Sequence, residues 1–432
     1  MRQTGTGDYL KGALWVYPTA AVLLALVTGS VLSSITIPDG SPLEPLVFKG
    51  TAADARVMLI GISGTMMTVI ALVLGLTLVA LQLSSTQFSP RILRTFLRDR
   101  VNQVVLSVFV ATFVYSTAGL YTVGVGRGAT TDDYPRLAVT LAIALLVASM
   151  VVLVYFVHHI SHAIQIDQVM VGVETKTMRV IEHDLPTEGV RDHDLPEPPP
   201  WAVPVPAYRS GYVQTLQPAP LLRAARLHDL TASVVPMVGE HVLAGEPMVW
   251  LWRVTAGDAA PDVAAVQDAV HECVRIGFER TTEQDVAFGM RQLADISVKA
   301  LSPAINDPYT AIQSLEHISV VLATLAARPL GSQVLGDDGR DRVVLHGRDL
   351  EYYVELATGQ IRRYGRDEPR VLQALLRTLH RAGYFCRDDA GRDVVARHVR
   401  LVIEAARDGV VQATDLAPVV AHGEAVLREV TR

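Results

Sequence analysis

The sequence predicts an α-helical membrane protein with four transmembrane helices and a cytoplasmic α+β region, in which a small barrel-like β module precedes an α-rich domain. Three observations predict this class. Four long stretches without Asp, Glu, Lys or Arg lie within the first 166 residues. A proline-dense segment follows them, and the remaining chain looks soluble although apolar residues make up 50% of the whole sequence.

The uncharged stretches define a predicted transmembrane domain, residues 1–165, with spans at about 13–35, 57–83, 101–125 and 137–160. At about 1.5 Å of rise per residue, each is long enough to cross a hydrocarbon core of about 30 Å as a helix. The first span is longer than the roughly 7–15 apolar residues of a secretory signal, and no clear small-x-small cleavage site follows it. It is therefore interpreted as a retained anchor.

Basic residues set the predicted orientation. The loop between spans two and three carries four arginines and one acid, whereas the other two short loops balance their bases with acids. Positive-inside bias places the arginine-rich loop in the cytoplasm, together with both termini and everything after His162. Arginine far outnumbers lysine, which suggests a high-GC bacterial genome. The expected location is therefore a bacterial plasma (inner) membrane.

The cytoplasmic region divides by composition. Residues 166–206 are predicted to extend span four as a helix and then to form a linker, because seven prolines between Leu185 and Pro206 exclude a regular helix. In residues 207–255, short β-prone runs broken by glycines favour a barrel-like module. That module contains no lysine, so it carries no lipoyl or biotinyl group by the usual amide.

Helices are predicted to dominate residues 256–432. A capping box of Thr281 and Gln284 opens one helix, and Asp307 followed by Pro308 caps the next. The segment from Gly331 to Gly347 is interpreted as a charged, glycine-rich loop. Further helices are predicted near 349–357, 368–382, 391–407 and 413–430.

The second span carries a stripe of small and polar residues at 4-3 spacing, which places them along one side of a helix. The stripe consists of Gly64, Thr68, Ala71, Gly75, Leu78, Gln82, Ser85 and Ser89. Two interpretations stay open: close helix packing through small residues, or a conduit for ions or solutes. Both hold if the packing partner is the same helix in another subunit.

A short amphipathic segment follows the second span, with Arg91, Arg94 and Arg98 on one side. It is predicted to lie at the cytoplasmic membrane surface, where each arginine gains about 1 kcal/mol from anionic lipid headgroups. The alternative is that these charges only determine the topology.

Signals for metal binding and catalysis are weak. His158 and His162 are four residues apart and are weak metal candidates, since no third ligand accompanies them. Nucleotide-binding glycine motifs, a nucleophile elbow and paired-cysteine metal sites are absent from the sequence. Cys273 beside His271 is interpreted as a buried structural cysteine. We therefore expect no cofactor and no enzymatic activity.

Partners are constrained by charge and redox chemistry. The net charge of −6 argues against a nucleic-acid partner. The two cysteines, Cys273 and Cys386, both fall in the predicted cytoplasmic part, so no disulfide framework is implied. The remaining expected partners are the lipid bilayer and further copies of the chain.

Several segments resemble a bacterial family of predicted membrane proteins known as domain of unknown function 2254. They are residues 82–91, 158–160, 210–214, 285–296 and 300–311, the last of which contains Ser-Pro-Ala-Ile-Asn-Asp-Pro. The resemblance covers nearly the whole chain. It implies four amino-terminal spans and a cytoplasmic tail, and it brings no established activity or catalytic residue.

Two of these segments contain a possible ligand or subunit-interface cluster. Its members are Arg291, Asp295, Ser302, Asn306 and Asp307. The simpler interpretation is a helix cap at Asp307 and an ion pair four residues apart within one helix.

The favoured hypothesis is a homo-oligomeric, channel- or transporter-like conduit lined by the second span, with a cytoplasmic domain that gates or assembles it. The first alternative is a membrane-anchored sensor or scaffold that binds a ligand or protein through its tail. A membrane-tethered enzyme is a more remote alternative.

Overall fold

The computed structural model describes residues 15–35, 47–87, 100–123, 134–163, 165–186, 195–253, 260–337 and 340–432. The chain forms two compact units, Met1–Gln168 and Val169–Arg432, and each is described here by itself.

The first unit contains four helices that are long and apolar enough to cross a membrane. They are α1 (Val16–Ser33), α2 (Ala52–Gln87), α3 (Arg100–Thr122) and α4 (Arg136–Ala163). Helix α3 packs against each of the other three and is the most buried of them. The four predicted apolar helices are therefore confirmed.

Small residues and short hydrogen bonds hold α3 at the centre of this unit. A Cβ added at Gly29 of α1 would lie 3.5 Å from the Tyr115 ring, and one at Gly119 would lie 3.3 Å from Leu59 of α2. Close backbone approach at small residues is the usual way in which membrane helices associate. The Tyr115 hydroxyl donates to the Ala138 carbonyl of α4 at 3.0 Å.

A further helix, α5 (Ile166–Asp184), begins three positions after α4 ends. The predicted helical extension of span four is therefore a separate helix. Met170 and Ile181 on one side of α5 are buried within the second unit.

The described residues of the second unit include eight strands in two sheets. They are β1 (Val203–Pro206), β2 (Gly211–Leu216), β3 (Thr231–Val234), β4 (His241–Val242), β5 (Pro247–Trp252), β6 (Val274–Gly277), β7 (Gln333–Asp337) and β8 (Arg340–Leu345). One sheet has the order β1-β5-β3-β8-β7, and the other has the order β4-β2-β6. Only the β3–β8 pair is parallel among these strands. Two short helices, α6 (Pro218–Leu227) and α7 (Val263–Cys273), pack on each other beside the sheets.

The predicted barrel-like module at residues 207–255 is wrong. Its strands belong to two open sheets, and β6, β7 and β8, which come from outside that interval, complete them. The β-prone runs were located correctly, but their pairing partners lie up to about a hundred residues away in the sequence. The end of the proline-rich linker forms β1, which lies at a sheet edge as proline requires.

Six helices of the described residues form the α-rich part of the second unit. They are α8 (Val286–Ala300), α9 (Pro308–Ala326), α10 (Leu350–Tyr364), α11 (Pro369–Phe385), α12 (Asp389–Gly409) and α13 (Ala413–Val430). The predicted loop from Gly331 to Gly347 is wrong, because its β-branched residues pair as the β7–β8 hairpin.

The N-cap of α8 differs from the predicted capping box. Asp285 caps the helix by accepting from the Phe288 N–H at 2.9 Å. The Arg280 guanidinium holds the same carboxylate with bonds of 2.9 and 2.7 Å. Gln284 instead accepts from the Leu216 N–H at 2.8 Å, so it ties β2 to the start of α8.

Helix α5 packs on α8 and α9 within the second unit. A Cβ added at Gly289 would overlap the hydroxyl of Thr177, so the two helices approach where α8 has no side chain. Beside this crossing, His317 Nδ1 on α9 lies 2.5 Å from the Glu174 carboxylate. Helix α5 therefore contributes to the packing of the second unit through Glu174 and Thr177.

Adding a methyl group at Gly289 is expected to destabilise the second unit. Gly289→Ala forces a Cβ onto Thr177, and overpacking of this kind costs about 1–3 kcal/mol. We expect a lower thermal unfolding midpoint for the full chain in detergent. Gly172→Ala on α5 is the control, because a Cβ there meets no atom within 4 Å. Equal midpoints for the two variants would contradict this packing.

Candidate functional site

Helix α2 has two faces of opposite character. The face that packs into the four-helix unit carries large and apolar side chains, with Leu59, Ile62 and Met66 almost completely buried. Val73 and Ala80 continue the same face toward the end of the helix. The residues that hold α2 in the unit are therefore not those of the small-residue stripe.

The stripe lies on the opposite, outward face of α2. Gly64, Thr68, Ala71, Gly75 and Gln82 are all exposed within the first unit, and so is Leu78. A Cβ added at Gly64 or Gly75 would meet no atom of the described residues within 4 Å. Within the described part of the chain, no other helix therefore packs against Gly64 or Gly75.

The hydroxyl groups of the outer face are bonded within the helix itself. Thr68 donates to the Gly64 carbonyl at 3.2 Å, and Thr65 donates to the Gly61 carbonyl at 2.8 Å. A hydroxyl that bonds its own backbone needs no water or partner chain. What most members of the stripe share is therefore the small volume of their side chains, and the hydroxyl group of Thr68 is already bonded within the helix.

Part of the predicted site lies outside the described residues. Ser85 is in the last turn of α2. The position Ser89 and the membrane-surface arginines Arg91, Arg94 and Arg98 are not among the described residues.

The interior of the first unit holds polar groups that the sequence analysis did not single out. Thr112 of α3 and Ser149 of α4 share a hydrogen bond of 3.0 Å, and Thr117 donates to Ser63 of α2 at 3.3 Å. Gln103 is fully buried, and neither its amide nitrogen nor its oxygen has a partner among the described residues. The Asn102-Gln103 dipeptide near the start of an otherwise apolar span was the signal available in the sequence.

A cavity of about 180 Å³ lies between α1, α3 and the first turn of α4. Gly29, Tyr115 and Gly119 form part of its wall, with Ser30 and Thr122 as polar contributors. The twelve residues that line it include no acid, base or thiol. The cavity therefore offers space without catalytic chemistry.

His158 and His162 lie together at the end of α4. Their ring centroids are 4.2 Å apart, and His162 Nδ1 is 2.9 Å from the carbonyl oxygen of His158. In the part of the chain that the structure describes, no group of three or more His, Cys, Asp or Glu side chains is placed to hold a metal ion. The pair remains two imidazoles without a third ligand.

The structure separates the predicted cluster of Arg291, Asp295, Ser302, Asn306 and Asp307 into two places. Arg291 and Asp295 lie along α8, whereas the other three lie in the turn from α8 to α9. Asp307 caps α9 as predicted, accepting from the Thr310 N–H at 3.1 Å and the Thr310 hydroxyl at 2.6 Å. These two bonds hold the pKa of Asp307 below its usual value. The turn is thus organised by its own backbone and cap.

Two buried titratable groups of the second unit, Cys273 and Asp285, have raised pKa values. Burial raises the pKa of the Cys273 thiol to about 12, which leaves little thiolate at neutral pH. Burial also raises the pKa of Asp285, against the opposing charge of Arg280. Both groups serve structure: Cys273 lies in the core, and Asp285 caps α8.

These features define a polytopic membrane protein in which four apolar helices precede a large α/β region. The chain belongs to the family described as predicted membrane protein (DUF2254), which it matches over residues 11–381. It is 43% identical over 419 residues to the uncharacterized protein Mb1321c of Mycobacterium bovis and equally to the uncharacterized protein Rv1290c of Mycobacterium tuberculosis. Each comparison covers 95% of this chain and 80% of the relative. No solved structure matches the chain significantly. The family resemblance seen in the sequence is therefore confirmed.

Replacing the buried amide of Gln103 is expected to leave the protein as stable or more stable. An unpaired buried polar group costs roughly 1–3 kcal/mol, and Gln103→Leu removes it with similar volume. The thermal unfolding midpoint of Gln103→Leu in detergent should equal or exceed that of the native protein. Thr112→Val is the matched control in the same helix and should lower the midpoint, because it breaks the bond to Ser149. A comparable loss for both variants would show that Gln103 has a partner.

Substitutions at Asp307 distinguish a helix cap from a ligand site. Asp307→Ala removes the cap of α9 and should cost about 1 kcal/mol, seen as a lower unfolding midpoint. Asp307→Asn keeps an acceptor oxygen and should stay close to the native midpoint. If the asparagine variant lost as much stability as the alanine variant, the charge itself would be required, contrary to the capping role.

Proposed function

We propose that the protein is a non-enzymatic homo-oligomer in which the outward stripes of α2 from several copies meet and line a conduit across the membrane. The observation that carries this proposal is the exposure of Gly64, Thr68, Ala71, Gly75 and Gln82 on the face of α2 that its own chain leaves uncovered. The second unit would act as the gating or assembly domain.

The chemistry of the stripe favours a neighbouring helix over acyl chains. Between membrane helices there is no hydrophobic driving force, so association depends on close packing, for which small residues are suited. The sequence Ala71-xxx-Gly75 is a minimal motif of this kind, in a stripe whose one large apolar member is Leu78. A ring of such faces leaves a narrow path lined by small groups and by the carboxamide of Gln82 near one end.

The proposed topology places both termini in the cytoplasm of a bacterium. Four membrane crossings return the chain to the side from which it started. The loop that contains Arg91, Arg94 and Arg98 carries the largest excess of positive charge, which favours the cytoplasmic side. The same arginines would contact anionic lipid headgroups.

A membrane-anchored sensor or scaffold is the second candidate. The second unit supports it, because it is compact and has its own buried core, centred on Val213, Leu221, Ala232 and Ile276. Under that hypothesis the four helices serve only as an anchor, and α2 presents its stripe to lipid.

Adjacent cysteines on α2 test which surface meets another copy. Thr68 lies on the stripe, and Met67, which is 58% exposed, lies beside it on the flank. In proteoliposomes, Thr68→Cys should form disulfide-linked dimers and react with water-soluble thiol reagents. Met67→Cys should instead react with lipid-soluble reagents. Equal lipid labelling of both positions, without cross-linking, would exclude the conduit and favour the anchor.

The same preparation allows flux to be measured. Vesicles that contain the native protein should pass ions or small solutes faster than protein-free vesicles, and Gln82→Leu should change that rate. Leu83→Ala is the control, since it alters the neighbouring residue without removing an amide. Absence of flux in the native protein would contradict the conduit directly.

A further inference from the structure

Two turns of the second unit lie at the same end of its α-rich part. One joins α8 to α9 and the other joins α10 to α11. They are adjacent, because a Cβ added at Gly365 would lie 3.2 Å from Leu301 Cδ1. Thr378 of α11 donates to the Leu315 carbonyl of α9 at 3.4 Å, and Arg381 donates to the Ser319 hydroxyl at 2.8 Å. Helices α9 and α11 therefore run in parallel from this end, which we call the turn face (residues 301–309 and 363–370).

The turn face exposes apolar and aromatic side chains. Ile305 is 41% exposed, Tyr309 70% and Tyr364 57%. The stretch from Leu301 to Asn306 carries no formal charge. These side chains form the outermost part of two tight turns, where a soluble domain normally places polar residues.

Arginines surround these exposed side chains. Arg363, Arg366 and Arg370 are all exposed on the second turn. Among the nearby acids, Asp307 and Glu368 cap α9 and α11 and accept hydrogen bonds from backbone N–H groups. Asp367 is exposed. The surface thus combines apolar tips with guanidinium groups at their margin.

Helix α5 lies along α8, and the chain directions of the two helices can be compared. Its Thr177 meets Gly289 in the first turns of α8, and its last residue, Asp184, accepts from Gln284 Nε2 at 3.4 Å, ahead of the start of α8. Helix α5 therefore runs opposite to α8, and its first turn points toward the end at which α8 finishes. That first turn begins at Ile166, three positions after the last residue of the fourth apolar helix.

We propose that the turn face contacts the surface of the bilayer, with Ile305, Tyr309 and Tyr364 inserted at the headgroup level. Tyrosine suits this depth because its ring is apolar and its hydroxyl is polar. Guanidinium groups match phosphate oxygens with two parallel hydrogen bonds. Each part of the turn face therefore has a partner in a phospholipid headgroup layer.

This contact is separate from the proposed conduit. Its residues are not part of the stripe of α2. Its arginines also differ from Arg91, Arg94 and Arg98, which follow α2. It would fix the second unit at the membrane whether the four helices form a pore or only an anchor.

The test uses single cysteines on the full chain, labelled with an environment-sensitive nitrobenzoxadiazole dye. Tyr309→Cys reports the turn face. Tyr384→Cys is the matched control, because Tyr384 is 79% exposed and lies at the far end of α11. The native Cys273 and Cys386 are buried, so they should label poorly. The labelled protein is reconstituted into vesicles of equal parts phosphatidylcholine and phosphatidylglycerol that carry nitroxide headgroups.

We expect several-fold stronger quenching, and bluer emission, for the dye at position 309 than at position 384. A dye at Ile305→Cys should show the same quenching and emission as the dye at Tyr309→Cys. Agreement between the two positions shows that the result does not come from a local effect of one substitution. Equal and weak quenching at positions 305, 309 and 384 would overturn the proposal. So would shielding of position 309 from lipid and water alike, because that result would indicate a protein partner.

Discussion

A helix in hydrocarbon must satisfy its own backbone, and each polar group that it adds needs a partner, since the solvent provides none. In the first unit this constraint is met in two ways. Hydroxyls on the outer face of α2 bond their own helix, as Thr68 does to Gly64. Hydroxyls in the interior bond across helices, as Thr112 does to Ser149. Gln103 and the Ser116 hydroxyl, both in α3, are buried exceptions among the described residues.

The glycines of the four helices show why the outer stripe calls for a partner. Glycine in a helix costs about 1 kcal/mol relative to alanine, and a close backbone contact commonly compensates for it. Gly29 and Gly119 have such contacts within the chain, against Tyr115 and Leu59. Gly64 and Gly75 have none among the described residues. Any close contact that compensates for these two glycines therefore comes from outside the described residues, which is the reason that we propose an oligomer built along α2.

Features set by local sequence were predictable, and those set by distant partners were not. The apolar spans follow from missing charge, and the cap at Asp307 follows from its position before Pro308. The capping box at Thr281 was displaced because Arg280 holds Asp285, an interaction that a capping pattern does not contain. The prediction of a barrel-like module was wrong because β3 pairs with β8, which lies far along the chain. The stripe of α2 was visible as a pattern, but its outward direction required the fold.

Helix α8 connects several parts of the second unit. At its start, the Asp285–Arg280 pair occupies the space beside Gly239, which has a φ of +87° and leaves no room for a side chain. One turn later, Gly289 contacts Thr177 of α5. After the last residue of α8, Leu301 begins the turn face. The Gly289–Thr177 contact leaves no room for a side chain between α5 and α8. Helix α8 therefore links α5, the β2–β4 region and the turn face within the second unit.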